Sequence, residues 1–163
     1  MTMQADEIER LRFLQRVVRR EAALVQETTQ TLFDVGDRDS WALPVGPLPA
    51  ALSEPLDAFV ARFARLQDSL GDKLLPALLT ALAESVGAWI DNLNRGERLG
   101  WFASVEAWRV IRALRNQMIH DYVEDRRVLE GALVAARDAV PMLNAVAARM
   151  CDEVDRRLAG RDN

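Results

Sequence analysis

The chain has 163 residues, half of them hydrophobic and 28% charged, with a net charge of −4. This composition indicates one folded globular domain over residues 1–163 and excludes a disordered chain. One cysteine and one histidine exclude an internal disulfide and make a transition-metal centre a poor expectation, while the negative charge restricts any RNA contact to a local patch.

The N-terminal segment, MTMQADEIERLR, carries charged residues from Asp6 onward and lacks the apolar stretch of a secretory signal. The densest apolar run, LLPALLTALA at 74–83, is too short to cross a bilayer. We therefore expect a cytoplasmic protein that does not enter a membrane.

The first predicted helix runs from about Ala5 to Leu32. Its apolar residues recur at spacings of three, four and seven, which is the pattern of one buried helical face; they are Ile8, Leu11, Leu14, Val18 and Val25. A Pro/Gly-rich loop follows at 35–49. That length is unusual for a bundle connection, so the loop is either a packed functional element or an insertion.

A second helix is predicted to open at LSEPLDAF, with Ser53 as its N-cap and Pro55 in its first turn. Gly71 marks either a break or close packing, and Pro76 either opens a new helix or kinks the existing one. A short helix is expected over WIDNLNRGERLG, ending at Gly100.

Ser104 is the predicted N-cap of the next helix, SVEAWRVIRALRNQMIH. The last helix is expected from Asp125 to about Leu158, with Pro141 bending or interrupting it. No segment alternates with a period of two over the length of a strand. These patterns predict an all-α fold, an antiparallel bundle of four or five helices.

Three arginines recur every third residue in the helix that follows Ser104, namely Arg109, Arg112 and Arg115. They form either an anion-binding strip or the ordinary polar face of that helix. The carboxylates Asp68 and Asp72 are read as residues of a solvated helix face, the usual location of such pairs.

The stretch LRNQMIHDYVED contains the only histidine and the only tyrosine of the chain, His120 and Tyr122, shortly after Arg115. Five residues of α-helix correspond to about 500°, so Arg115 and His120 point about 140° apart. They can converge only if the helix ends or bends between them, or if two protomers contribute one group each. The structural alternative is that His120 caps the end of a helix and Tyr122 packs nearby.

The segment RNQMIHDY resembles the R-x4-H-x-Y motif of HEPN-domain proteins of the HepT type, with Asn116 as the polar residue after the arginine. The preceding helix, WFASVEAWRVIRALRNQMIHDY, is similar to the motif-bearing helix of that family, and RFARLQDSLGDKLLPALL to its second-helix region. The resemblance covers roughly Leu56 to Asp125. No family role is assigned to the loop at 35–49.

The resemblance implies a HEPN-like bundle that dimerises through the motif-bearing helices and cleaves RNA without a metal or cofactor. It implies that Arg115, Asn116 and His120 are catalytic and that Tyr122 is adenylylated by a partner nucleotidyltransferase of the MntA type, the antitoxin of a type VII-like toxin–antitoxin pair. Two copies of Arg115, with Arg112 or Arg109, would make the cleft positive enough for RNA.

Two alternatives stay open at this point. In the first, the chain is a non-catalytic partner of a minimal nucleotidyltransferase, with the motif kept as the substrate of that enzyme. Alternatively, it is a structural helical bundle in which the motif is accidental, and then it would be a monomer with His120 and Tyr122 on unrelated surfaces.

Overall fold

A computed structural model describes residues 3–34, 36–120 and 125–160, and every regular element in them is helical. The predicted all-α class is therefore confirmed. A π-helical turn, Ser69–Leu74, joins α2 to α3 without a break, so the described residues form five long helical segments besides a single 3-10 turn, Arg38–Ser40. The α-helices are α1 Ala5–Phe33, α2 Ala50–Asp68, α3 Leu75–Ala81, α4 Trp89–Arg98, α5 Val105–His120 and α6 Arg126–Ala159.

Polar contacts between the long helices show how the bundle is arranged. On α1, the Gln15 side chain donates a hydrogen bond to the Cys151 carbonyl of α6. Gln26, which lies further along α1, accepts a hydrogen bond from Asn144, which precedes Cys151 on α6. The two helices are therefore antiparallel. The α5 helix packs against α2 and α6, on the other side of the layer that α1 covers.

The predicted apolar stripe of α1 lies in the core, where Leu11, Leu14, Val18 and Val25 are buried. The α5 helix contributes Trp108, which is fully buried and contacts Phe102 edge to face with the ring centroids 4.9 Å apart. Periodicity alone thus identified which faces point inward.

The start of α2 differs from the prediction. The helix begins at Ala50 and Pro49 is its N-cap, so Ser53 lies inside the first turn, where its amide donates to the Pro49 carbonyl at 2.9 Å. Pro55 is consequently an interior residue. The prediction failed because a serine beside a proline is a strong local start signal, while Ala50 and Ala51 need no cap to extend the helix backwards.

Gly71 lies in the π-helical turn and permits close packing rather than a break. A Cβ at this position would approach the Trp108 indole nitrogen to 3.3 Å. Pro76 follows as the second residue of α3, where its missing amide is tolerated. The wider π-helical turn before Pro76 thus lets the helix continue through Gly71 and Pro76 without a break.

The predicted Ser104 cap is confirmed, and the last helix, predicted to begin at Asp125, begins one residue later with Asp125 as its N-cap. Ser104 Oγ accepts a hydrogen bond from the Ala107 amide at 3.1 Å, and the Asp125 side chain accepts from the Arg127 and Val128 amides. The interruption expected at Pro141 does not occur, because α6 runs through this exposed residue. One missing backbone hydrogen bond at the surface does not break a helix held by its buried face.

The loop at 35–49 is packed, as far as its described residues show, and α6 holds it. Arg126, Glu130 and Arg137 lie on one stripe of α6 and bind the backbone of the loop rather than its side chains. The contacts are Arg126 Nη1 to the Pro44 carbonyl at 2.7 Å and to the Gly46 carbonyl, the Leu43 amide to Glu130 Oε1 at 2.7 Å, and Arg137 Nη1 to the Arg38 carbonyl at 2.9 Å. Because backbone groups are bound, loop side chains could vary without losing the anchor.

Candidate functional site

The motif-bearing helix, α5, is positioned at its start by two hydrogen bonds. Besides the Ser104 cap, the Val105 amide donates to Glu97 Oε2 of α4 at 2.7 Å. From there α5 continues without a break to His120. A bend that would bring Arg115 and His120 together is therefore absent, and of the ways in which they could converge only a second protomer remains.

Arg115 and His120 lie on different sides of α5. Arg115 is half-buried on the flank that packs against α2, whereas His120 is exposed at the end of the helix. The structure thus keeps the two predicted catalytic groups apart within one chain, as the helical angle requires.

The Arg115 guanidinium is held by two partners. Its Nη2 donates to Asp68 Oδ2 of α2 at 3.0 Å, and its Nη1 donates to Asn116 Oδ1 at 3.1 Å. Its Nε is buried without a hydrogen-bond partner. Two of the three nitrogen atoms are therefore fixed, and the planar group is aimed from the α2 flank towards the side of α5 that carries Asn116.

Arg112 is also committed to contacts within the chain. Its Nη1 lies 3.5 Å from Asp72 Oδ1, and its guanidinium stacks 4.7 Å above the centre of the Trp89 ring. Asp68 and Asp72 are therefore ion-pair partners for α5 rather than carboxylates that face only solvent. Arg109 bonds to Glu106 at 3.3 Å on the exposed face.

The solvent-facing side of α5 carries Asn116 and His120 one turn apart, and both are exposed. The same side continues towards the start of α5 through exposed Ala113 and Arg109, and Val110 lies at its edge with 59% of the residue exposed. This side of α5 is not covered by the rest of the described chain and is therefore accessible to a second protein surface.

Tyr122, the predicted site of adenylylation, lies outside the described residues. The described chain resumes at Asp125, and Arg126 next to it binds the loop carbonyls of Pro44 and Gly46.

Glu21 of α1 is a polar residue close to this site that sequence analysis missed. Burial raises its pKa above the ordinary value, although a hydrogen bond with Ser69 and the charge of Lys73 act in the opposite direction. Its Oε2 is buried without a partner, and Asp68 is near enough to raise the pKa further. Its position, seven residues after Leu14 and four before Val25 in the apolar stripe, is a sequence signal that could have revealed it.

No helix in the described part of the chain combines the length and the apolar character that crossing a membrane requires. Comparison with protein-family models, with curated proteins and with solved structures finds no match for this chain. The likeness to HEPN proteins consequently rests on the residues of α2, α5 and the segment after it, and remains a prediction.

Proposed function

We propose that this chain is a metal-independent endoribonuclease that acts as a homodimer of HEPN-like bundles. The observation that carries the proposal is the exposed side of α5, where Asn116 and His120 lie one turn apart and Asn116 accepts a hydrogen bond from Arg115 on the neighbouring flank. A two-fold axis across this face would put two copies of each group around one cleft.

The residue types suit cleavage by the adjacent 2′-hydroxyl of RNA. That oxygen attacks the phosphorus, the bond from phosphorus to the 5′-oxygen breaks, and a 2′,3′-cyclic phosphate and a 5′-hydroxyl remain. Protons must leave the nucleophile and reach the leaving oxygen, and histidine titrates near neutral pH, at about 6.5, as this role requires. His120 is proposed as this acid–base group.

Arg115 is proposed to stabilise the negative charge on the non-bridging phosphate oxygens in the transition state. A guanidinium pairs with two phosphate oxygens at once, and one fixed in advance loses little freedom on binding. Asp68 fixes the guanidinium here, so an RNA phosphate would compete with Asp68 for it or share it with that carboxylate. Asn116 would orient the phosphate, while Arg112 and Arg109 would add positive charge along α5.

The regulatory half of the proposal concerns Tyr122. A partner nucleotidyltransferase would transfer AMP from ATP to its hydroxyl with release of pyrophosphate, adding bulk and negative charge that oppose the approach of RNA. Incubation with ATP, magnesium and a partner nucleotidyltransferase is expected to raise its mass by one AMP unit or a multiple of it. Label that persists in Tyr122→Phe would remove Tyr122 from this role.

The nuclease activity is tested with purified protein and a fluorescent single-stranded RNA in EDTA. Arg115→Ala and His120→Ala are each expected to lower the cleavage rate by about 10²–10⁴-fold, the usual range for such groups. Arg149→Ala, which removes an exposed arginine of α6, is the control and is expected to cleave like the wild type. Equal residual cleavage by all four proteins would refute the nuclease.

One observation favours the second candidate function, a non-catalytic subunit that serves as substrate of the nucleotidyltransferase. Within one chain Arg115 is already neutralised by Asp68, and His120 is on another face. Under this alternative the protein accepts AMP but never cleaves RNA. The two assays together therefore separate the candidates.

A further inference from the structure

A row of basic residues covers the solvent face of α1, opposite its buried stripe. Arg12, Arg16 and Arg20 are all exposed and follow one another at four-residue intervals, with exposed Phe13 among them. Residues four apart on a helix share a face and are about 6 Å apart along its axis. We call these four residues the α1 basic strip.

The arginines of the α1 basic strip differ from most of those that flank the motif site. In the described part of the chain, none of the three forms an ion pair with a carboxylate, whereas neighbouring Arg19 binds Asp155 at 2.7 Å and Arg115 binds Asp68. No acidic residue occurs between Glu9 and Glu21. The strip is therefore positive from Arg12 to Arg20, while Asp6 and Glu9 lie beside Phe13 and Arg16 at its N-terminal end.

This arrangement opposes the stability of α1. Like charges four residues apart on a helix repel each other, and Arg16 has such a neighbour on both sides. A face whose only task is to be solvated would be more stable with alternating signs. Phe13 adds a second cost, because this large apolar residue is 53% exposed. A ligand that neutralises the charges and covers the ring would offset both.

We propose that the α1 basic strip binds the phosphodiester backbone of single-stranded RNA and that Phe13 stacks on one of its bases. Three guanidiniums in line match successive phosphates, and an aromatic ring between them matches a base. A membrane surface fits less well, because α1 buries its apolar face in the core and offers only Phe13 for insertion.

The choice of RNA as the polyanion rests on the proposed function. The strip lies on α1 and not on α5, and both helices pack against α2 and α6. RNA bound to the strip would therefore be held away from the phosphodiester that reacts. The strip would supply affinity for flanking nucleotides, and its loss would raise KM more than it lowers kcat.

The inference is tested by fluorescence anisotropy with a labelled 2′-O-methyl single-stranded RNA, which cannot be cleaved through its 2′-oxygen. Arg16→Glu is expected to weaken binding by about tenfold or more, because it removes one phosphate contact and adds repulsion. The same change is expected to raise Tm, since it places a glutamate between Arg12 and Arg20. A loss of RNA affinity together with a rise in Tm excludes unfolding as the cause of the lost binding.

Two further variants sharpen the test. Simultaneous Arg12→Gln, Arg16→Gln and Arg20→Gln is expected to reduce the slope of log K against log salt by about 2, at roughly 0.7 for each single-strand contact. Phe13→Ala is expected to weaken binding roughly fivefold or more through lost stacking. Arg149→Glu changes the net charge as Arg16→Glu does and is the matched control, expected to keep nearly the wild-type affinity.

Equal RNA affinity of the wild type and Arg16→Glu would overturn the inference, as would equal losses in Arg16→Glu and Arg149→Glu. Binding of the wild type to phosphatidylserine vesicles with none to RNA would also overturn it. The proposed nuclease is judged separately by cleavage: active protein with a strip that does not bind RNA refutes only the strip, and RNA binding at the strip without cleavage refutes only the nuclease.

Discussion

Glu21 shows how a single residue can connect the core to the candidate site. It lies in the buried stripe of α1 and forms a hydrogen bond with Ser69 at the start of the π-helical turn. Burial destabilises the charged form of its carboxylate. Asp68, the partner of Arg115, is the residue before Ser69. The destabilised carboxylate of Glu21 is therefore close enough to interact electrostatically with Asp68, which orients the proposed catalytic arginine.

Glu21→Gln is expected to stabilise the protein at pH 7, by up to about 1 kcal/mol because partial exposure screens the charge. The folded-state pKa is raised, so the wild type gains stability as the pH falls through that pKa, and the advantage of the variant disappears below the ordinary value of 4.5. Urea unfolding at pH 7 and at pH 4 measures this. The exposed Glu27→Gln serves as control, and an equal effect at both pH values would contradict the explanation.

At the scale of elements, close packing fixes how the short α4 helix lies against the bundle. Gly96 of α4 faces the Phe102 ring, and a Cβ there would lie 2.7 Å from Cδ2 of that ring and 3.2 Å from Leu75. Phe102 is itself buried against Trp108. The absence of one side chain therefore sets the distance between α4 and the start of α5, where Glu97 holds the Val105 amide.

Gly96→Ala is expected to lower the free energy of unfolding by about 1–3 kcal/mol, because neither Phe102 nor Leu75 has room to move. Gly131→Ala, at an α6 position where a Cβ meets nothing within 4 Å, is expected to raise it by about 0.5–1 kcal/mol. Chemical denaturation of both variants measures the pair. Similar stabilisation of both would show that α4 is not tightly packed.

At the scale of the whole molecule, the bundle presents α5 on one side and the α1 basic strip on another, with α2 and α6 between them. The α5 face is uncovered in a single chain, and the proposed site is incomplete without a second copy. Under this proposal RNA cleavage requires the dimer, whereas RNA binding at the α1 basic strip does not.

The proposed dimer is tested by sedimentation velocity. Val110→Asp introduces a charge on the exposed α5 face, so it is expected to convert a dimer into a folded monomer and to abolish RNA cleavage at the same time. Val86→Asp, an exposed residue between α3 and α4, is the control and is expected to leave the dimer intact. A wild-type protein that sediments as a monomer would refute the shared cleft.

By itself the sequence determined the features that depend on neighbours along the chain. The all-helical class, the buried stripe of α1 and the cap Ser104 follow from periodicity and hydrogen bonds over three or four residues. Only the tertiary structure decided which distant groups meet, such as Arg115 with Asp68, Arg126 with the loop carbonyls, and the placement of Glu21 beside Ser69. These contacts join residues separated by tens of positions, and packing rather than local preference brings them together.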